Sequence, residues 1–328
     1  MTIAIIGAGI AGAACAARLV QLKQDVVVFD KGRSAGGRMS SKRSEDGYLD
    51  LGAQYFTART PTFSAQCQHW LAQGVIGRWG GKLASYQVGQ LTASPDDTER
   101  FIGVPSMQRP VQQLLTGITV KQAEISAIKF ANQSWQLFSG DSLLGHFEQL
   151  VLAVPQQQAE RLCGNLLAQQ PDLAALFART ALLPCWAVSI PLLNHYQNPS
   201  IAFDGVFVKD DASLSWLARQ GSKPGRAEGE NWLVHFNPAW SQVHLEDTAG
   251  DIAIHAAAAL KRVLNVEASA TDAICHRWRY AQQAPDYAVI GVARLPDLAL
   301  GLCGDWLNGG RVENAWLSGI QLAEELTQ

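Results

Sequence analysis

The chain has little that would cross-link it or bind a metal. Its six cysteines, Cys15, Cys67, Cys163, Cys185, Cys275 and Cys303, show no Cys-x-x-Cys and no zinc spacing. Most sit in apolar runs such as 299–303, where a thiol acts as a small hydrophobe. That usage suits a reducing, cytoplasmic compartment. The seven histidines form no His-x-x-x-His pair, so no metal centre is expected. No Lys/Arg-rich run accompanies the net charge of −3, which removes nucleic acid and anionic membrane from the expected partners. Repeats and low-complexity tracts are absent, and no uncharged apolar stretch approaches a membrane span. The apolar amino terminus lacks the basic residues that open a signal peptide and reads as a first core strand. At 328 residues, with 48% hydrophobic and 17% charged, the composition is globular. The length allows two domains or one large domain with a cap.

What is present begins at residue 2. A short apolar strand, Thr2-Ile3-Ala4-Ile5-Ile6, runs into Gly7-Ala8-Gly9-Ile10-Ala11-Gly12 and an Ala-rich helix over about residues 13–22. A second apolar strand, Val26-Val27-Val28-Phe29, ends on Asp30. This is the dinucleotide fingerprint. Gly7 allows the tight turn, Gly9 lets the backbone approach a pyrophosphate, and Gly12 permits close helix–strand packing. The helix N-terminus offers free N–H groups and partial positive charge to phosphate. Asp30 falls where an acid accepts ribose hydroxyls.

The continuation separates flavin from nicotinamide. Gly36-Gly37-Arg38-Met39-Ser40 and Asp50-Leu51-Gly52-Ala53-Gln54-Tyr55 follow the ribose acid. A cofactor whose ring system extends past the pyrophosphate needs a second glycine turn and a guanidinium along that path. At the other end, Gly304-Asp305-Trp306 is followed by Gly309-Gly310-Arg311-Val312 and a terminal helix. Asp305 can accept a ribityl hydroxyl, and the helix dipole can stabilise negative charge at flavin N1/O2.

Between these ends the pattern is mixed. Residues 61–98 are polar and Trp/Gln-rich, and 101–115 read as a loop into a helix. Residues 120–130 alternate as a strand with 134–138 as its hairpin partner. The run 149–155 reads as a fully buried parallel strand ended by proline. Residues 156–177 read as helix, and 184–193, 200–208, 214–219 and 231–236 as one antiparallel sheet. The loop 220–230, with Gly221, Pro224, Gly225 and Gly229, reads as a surface hairpin connection. Then come a helix over 248–264, a strand over 275–280 and a last buried strand over 298–303.

With residues 7–12, Asp30, 36–40, 50–57, 150–155, His276-Arg277-Trp278-Arg279 and 304–319 together, the chain resembles the two-domain flavin amine oxidases. Within them it looks most like the bacterial renalases, through Arg38-Met39-Ser40-Ser41 with Gln54-Tyr55-Phe56-Thr57. The resemblance implies an α/β fold: a Rossmann-like FAD-binding domain with a second, mainly antiparallel-sheet substrate domain, of the amine oxidase or p-hydroxybenzoate hydroxylase type. The expected division is 1–60, 100–155 and 285–328 for FAD, and 61–99 and 156–284 for substrate. Besides Gly7 and Gly37 of the glycine turns, it places FAD contacts on Gly9, Ala11, Gly12, Asp30, Lys31, Arg38, Met39, Gln54, Tyr55, Asp305, Arg311 and Val312. The backbone of Ile125, in a strand, would meet the adenine. The implied reaction is oxidation of the 2- and 6-dihydro isomers of NAD(P)H to NAD(P)+ by direct hydride transfer to flavin N5, with O2 reduced to H2O2.

Departures from the amine oxidases matter. The strand Cys185-Trp186-Ala187-Val188-Ser189-Ile190 has no lysine of the kind they set beside flavin N5, and the tail offers no cage tyrosine. No cysteine follows Cys303, so FAD is expected to be non-covalent. A dihydropyridine donates hydride readily, because its ring nitrogen pushes electrons and its product is aromatic. Catalysis then needs orientation and no proton abstraction. Candidates for that pocket are His235 and Asn237 on one strand, Tyr55 and Arg59 after the flavin turn, and Trp216 and Trp278 as walls. Two other readings stay open: an amine oxidase or desaturase, and a flavin-binding protein without turnover.

Overall fold

The computed structural model describes residues 2–45, 47–193, 201–226, 229–285 and 289–328. Its central sheet has six strands in the order Ala293–Leu295, Leu300–Leu302, Gln149–Leu152, Thr2–Ile6, Asp25–Asp30, Thr119–Gln122. All neighbours are parallel except the edge pair formed by Ala293–Leu295 and Leu300–Leu302. Both faces of this sheet are covered, which is why the first strand is apolar at every inner position. Ile3 and Ile5 join the core under the helices Ile10–Gln21 and Val312–Leu326; Ala4 and Ile6 join a second core with Trp135, Leu137 and Phe147. That second layer is a three-stranded sheet, Ala127–Ala131, Ser134–Ser139 and Ser142–Phe147. The two helices touch through backbone: a Cβ on Gly319 would lie 2.2 Å from the Ala11 carbonyl oxygen.

A separate seven-stranded sheet runs Ile274–Gln283, Leu182–Pro191, Asn231–Phe236, Leu214–Arg219, Gly205–Val208, Leu83–Gln87, Gln90–Ala93. Strand periodicity divides its two faces. Trp186, Val188 and Ile190 pack with Ile252, Ala256 and Leu260 of the helix Ala249–Leu264, whereas Ala187, Trp216, Ala218 and Leu233 face the core shared with the dinucleotide domain. The fold is mixed α/β with a Rossmann-like domain, as expected. The second sheet is not wholly antiparallel, because Gly205–Val208 pairs parallel with Leu83–Gln87 from the polar excursion.

Several element boundaries differ from the expectations. The first helix begins at Ile10, inside the 7–12 fingerprint, not at 13. The strand expected over 120–130 is two strands, since the chain leaves the central sheet after Gln122 and enters the three-stranded sheet at Ala127. Ile125 lies in the crossing between them, buried, and not in a strand. The helix expected over 156–177 is Gln156–Leu162 and Pro171–Ala178, because Pro171 can start a helix but not continue one. Of the strand expected over 200–208, Gly205–Val208 forms, and residue 200 lies outside the described residues. The last buried strand is Leu300–Leu302, preceded by a single 3-10 turn. Among the described residues, no helix is long and apolar enough to cross a membrane.

Candidate dinucleotide site and adjoining aromatic site

At the first strand–helix turn each glycine has a distinct reason to be glycine. Gly7 has φ +110°, and a Cβ there would sit 2.5 Å from the Ala153 carbonyl oxygen. A Cβ on Gly12 would lie 2.0 Å from the Gly7 oxygen. A Cβ on Gly9 would meet nothing within 4 Å, so this backbone faces open space. The helix Ile10–Gln21, which includes Ala11, has no side-chain cap and no acid in its first turn. Its N–H groups are therefore presented without a competing anion from their own helix. Gly37, at φ +55°, lies over this turn, where its Cβ would be 3.2 Å from Gly9 Cα.

Asp30 ends its strand as expected. Its carboxylate accepts from the N–H of Ala8 at 2.6 Å and of Gly32 at 2.7 Å, bracing the loops on both sides. Its carbonyl accepts from Ala123 N–H at 2.8 Å, which brings the 123–126 crossing and Ile125 beside the strand end. Lys31 is exposed and Met39 is buried.

The two ends of the chain meet at Arg38. Its guanidinium pairs bidentately with Asp305, 267 positions away, with one bond at 2.9 Å, and also donates to the Ala281 carbonyl at 2.9 Å. Beyond Asp305, Gly309, Gly310 and Arg311 all have positive φ, at +89°, +70° and +87°. Arg311 is the strained member of that run, a non-glycine holding the start of the helix Val312–Leu326, and Val312 opens it. Glu313 in that first turn is spent on the N–H groups of Arg59 and Thr60 and on the Thr60 hydroxyl.

The turn over residues 50–55 joins this region to the second sheet. A Cβ on Gly52 would be 2.0 Å from the Arg38 oxygen and 3.2 Å from Trp278. The Leu51 carbonyl accepts from Trp278 Nε1 at 2.9 Å and from His235 Nε2 at 3.1 Å. Because a carbonyl only accepts, His235 carries its proton on Nε2 and keeps Nδ1 as an acceptor. Burial, and then the nearby Lys223 charge, push the His235 pKa down to about 4 against the pull of the Leu51 bond. Cross-strand register sets His235 between Ala187 and Trp216, with Phe207 beyond Trp216. Tyr55 stands against Trp79 and Trp216 at 5.7 and 5.9 Å, and the Arg100 guanidinium covers its ring at 5.2 Å.

Thus Tyr55, Trp216, His235 and Trp278 lie on or around one turn. Asn237 and Arg59 do not join them. The Asn237 amide caps the helix Pro238–Val243, accepting from Trp240 N–H and donating to the Asp211 carbonyl, so both of its ends are occupied. The Arg59 side chain is exposed, and its backbone N–H donates to Glu313.

The largest correction concerns the 220–230 connection. Pro224, Gly225 and Gly229 are exposed, as a surface hairpin connection requires, but two of its charged side chains are not. Lys223 and Arg226 turn inward with fully buried side chains and meet fully buried Asp50, with Nζ at 3.2 Å and Nη2 at 2.8 Å. Ser41 Oγ adds a bond at 2.6 Å. The two cations hold the Asp50 carboxyl below its usual range despite burial. Lys223 also donates to Gln54 Oε1 at 2.7 Å, while Gln54 Nε2 donates to the Asp50 and Gly52 carbonyls. Residues 227–228 of the connection lie outside the described residues. Asp50 stood in a recognised motif, but Lys223 and Arg226 sit among glycines and proline, a local pattern that reads as solvent. Trp79 and Arg100 carried no signal either.

Comparison with known proteins agrees with this geometry. Residues 5–70 match the family model of the NAD(P)-binding Rossmann-like domain. The whole chain has the fold of a structure solved as a candidate protoporphyrinogen oxidase from Exiguobacterium sp. 255-15. The TM-score is 0.80 at 11% identity, covering 99% of this chain and 98% of that one. Cyclohexylamine oxidase from Brevibacterium oxydans IH-35A gives 0.73 at 13% identity, over 99% and 98%. A conjugated-linoleic-acid-producing fatty acid isomerase from P. acnes gives 0.73 at 12%, over 98% of each. A 4,4'-diapophytoene desaturase from Staphylococcus aureus is 40% identical over 52 residues, which is 16% of this chain and 10% of the relative. The chain thus carries a Rossmann-like dinucleotide-binding domain within an amine-oxidase-like fold. That fold serves several chemistries, so the reaction must be argued from the site.

Proposed function

We propose that the protein is an FAD-dependent oxidase that converts the 2- and 6-dihydro isomers of NAD(P)H to NAD(P)+, with O2 reduced to H2O2. The observation that carries this reading is the convergence of Arg38 and Asp305 past the fingerprint turn. A nicotinamide dinucleotide needs the fingerprint and Asp30; a longer cofactor also needs polar groups where those two meet. The residues fit FAD. Open space faces Gly9, the first helix is uncapped, and a second glycine turn lies over the first. On this reading Asp30 holds a ribose, and the 36–39 turn, Gln54, Tyr55, Asp305, Arg311 and Val312 hold the remainder without a covalent link. Bound FAD would supply a hydride acceptor and, with O2, the peroxide.

The chain's own part is orientation. Tyr55, Trp216 and Trp278 wall the ring, and neutral His235 offers Nδ1 to a carboxamide N–H. Leu51 fixes the positions of His235 and Trp278 with one carbonyl. The acids nearby are engaged: Asp50 with Arg226 and Asp96 with Arg100. A dihydropyridine asks for no base, so a site whose described carboxylates Asp50 and Asp96 are both paired suits it. The partners on this reading are a small dinucleotide and O2. An amine oxidase or desaturase is the second reading, favoured by what the structural and sequence relatives are named for.

Anaerobic stopped-flow separates them. The 2- and 6-dihydro isomers should reduce the bound flavin at least about a hundredfold faster than the 4-dihydro isomer, because a displacement of about 1 Å costs that much. Equal rates for the three isomers would remove the orientation argument. Fast reduction by an amine would transfer the assignment to the second reading.

A further inference from the structure

Among the described residues, the charges beneath the 50–55 turn do not sum to zero. Asp50 is one anion, Lys223 and Arg226 are two cations, and all three side chains are fully buried. Arg226 addresses both Asp50 oxygens through Nε and Nη2 at 2.8–3.2 Å and donates Nη1 to the Gly103 and Pro224 carbonyls. A guanidinium fork matched to a carboxylate is a complete pair. Lys223 has one contact of 3.2 Å to Asp50, and its shorter bond, 2.7 Å, goes to neutral Gln54. The lysine therefore carries the excess.

That excess borders the aromatic site. Lys223 Nζ lies 5.9 Å from the Trp79 ring, and Trp79 packs on Tyr55 and Trp216. His235 is kept neutral, Asp50 is paired with Arg226, and Arg100 over the Tyr55 ring is paired with Asp96. His276, 4.1 Å from the Trp278 ring, is held below its ordinary pKa by burial and then by the Lys42 charge. Aromatic faces ordinarily attract cations. Here one face already has its guanidinium, and the uncompensated sign behind the others is positive.

We propose that Lys223 is a specificity residue whose buried, unmatched charge makes the aromatic site favour neutral rings and repel cationic ligands, protonated amines and pyridinium ions alike. The inference rests on the reading above for where the substrate ring sits, and it deepens that reading. A dihydropyridine is neutral when it binds, and its oxidised product is a cation. The charge that tolerates the first hastens departure of the second. A primary amine is an ammonium at neutral pH and meets the repulsion at once. A unit charge about 10 Å away, beyond the Trp79 ring, at an effective dielectric constant of about 20, still changes affinity by roughly tenfold.

The test is equilibrium binding of a matched pair to the flavin-loaded protein: nicotinamide, which is neutral, and 1-methylnicotinamide, a permanent cation. Flavin absorbance or tryptophan fluorescence reads it without turnover. The native protein should bind nicotinamide at least about tenfold tighter at pH 7. That ratio should fall toward one as pH rises through about 8, where burial brings the Lys223 pKa. Lys223→Met keeps the stem and the Asp50–Arg226 pair, and should show a ratio near one already at pH 7. A native ratio near one at pH 7, a ratio unchanged by both pH and substitution, or no binding of nicotinamide overturns the proposal. If Lys223→Met does not fold, the pH series on the native protein decides. Should no dihydropyridine isomer reduce the flavin while the ratio behaves as stated, the reaction assignment fails and this inference stands. Fast reduction with a flat ratio fails this inference alone.

Discussion

The dinucleotide end is built mainly on backbone geometry at closely spaced residues, and the aromatic end on side chains that folding brings together. The first is compact in sequence: Gly7, Gly9, Gly12, Asp30 and Gly37 lie within 31 positions, and their spacing follows from where backbone must approach backbone or phosphate. The second gathers Asp50, Tyr55, Trp79, Arg100, Trp216, Lys223, Arg226, His235 and Trp278 from widely separated segments. Phosphate and ribose are the same in every dinucleotide, so one local solution serves many proteins. A ring pocket and its charge balance are particular to one reaction, and side chains from a sheet and its connections can be exchanged one at a time. The regions should therefore fail differently under substitution.

The largest effect is expected from Asp50→Asn at the aromatic end. It leaves two buried cations without their anion, which costs about 3–5 kcal/mol. Urea unfolding should show a much lower midpoint with an unchanged slope. Stability within about 1 kcal/mol of the native protein would mean that the three charges are not enclosed together.

A glycine pair sharpens the contrast at the other end. Gly12→Ala places a methyl 2.0 Å from the Gly7 oxygen, and overpacking of that kind costs about 1–3 kcal/mol. Gly9→Ala meets nothing within 4 Å, so the fold should stand while FAD affinity falls. Unfolding curves and flavin titrations on the two variants would have to diverge in opposite senses. Parallel behaviour would show that the open space at Gly9 serves no ligand.

Asp30→Ala comes next. Charge-assisted hydrogen bonds to a ribose are each worth about 1.5–3 kcal/mol, so flavin affinity should drop about tenfold or more. Part of that loss would come through the Ala8 and Gly32 N–H groups that the carboxylate also holds. A purified variant with full flavin and native affinity would remove Asp30 from the ribose role.

The effect that is smallest at neutral pH, and grows only in acid, concerns His235. The His235 pKa falls from 6.5 to about 4 in the folded protein, so the unfolded chain takes up this proton first. The stability gained by keeping the ring neutral is complete above about pH 6.5 and is lost as pH falls toward 4. Flavin reduction should show no inflection from this residue between pH 5 and 8. His235→Gln, which keeps a donor for the Leu51 carbonyl, should flatten the acid limb of the stability profile. An unchanged acid limb would mean that His235 titrates alike in both states.

Composition, the fingerprint, both glycine turns and the Gly304-Asp305 tail were legible in the sequence alone, because each is a backbone requirement met by neighbouring residues. The mixed α/β class and the central parallel strands followed from the same signals. Three-dimensional folding decided the rest. It split 120–130 between two sheets and added a strand pair from the polar excursion to the second sheet. It also drew Asn237 into a helix cap. Above all it buried Lys223 and Arg226 against Asp50. A run of glycine, proline and charge carries the local signature of a solvated loop. Whether its cations face water or an anion depends on a carboxylate more than 170 positions earlier, and only packing brings the two together.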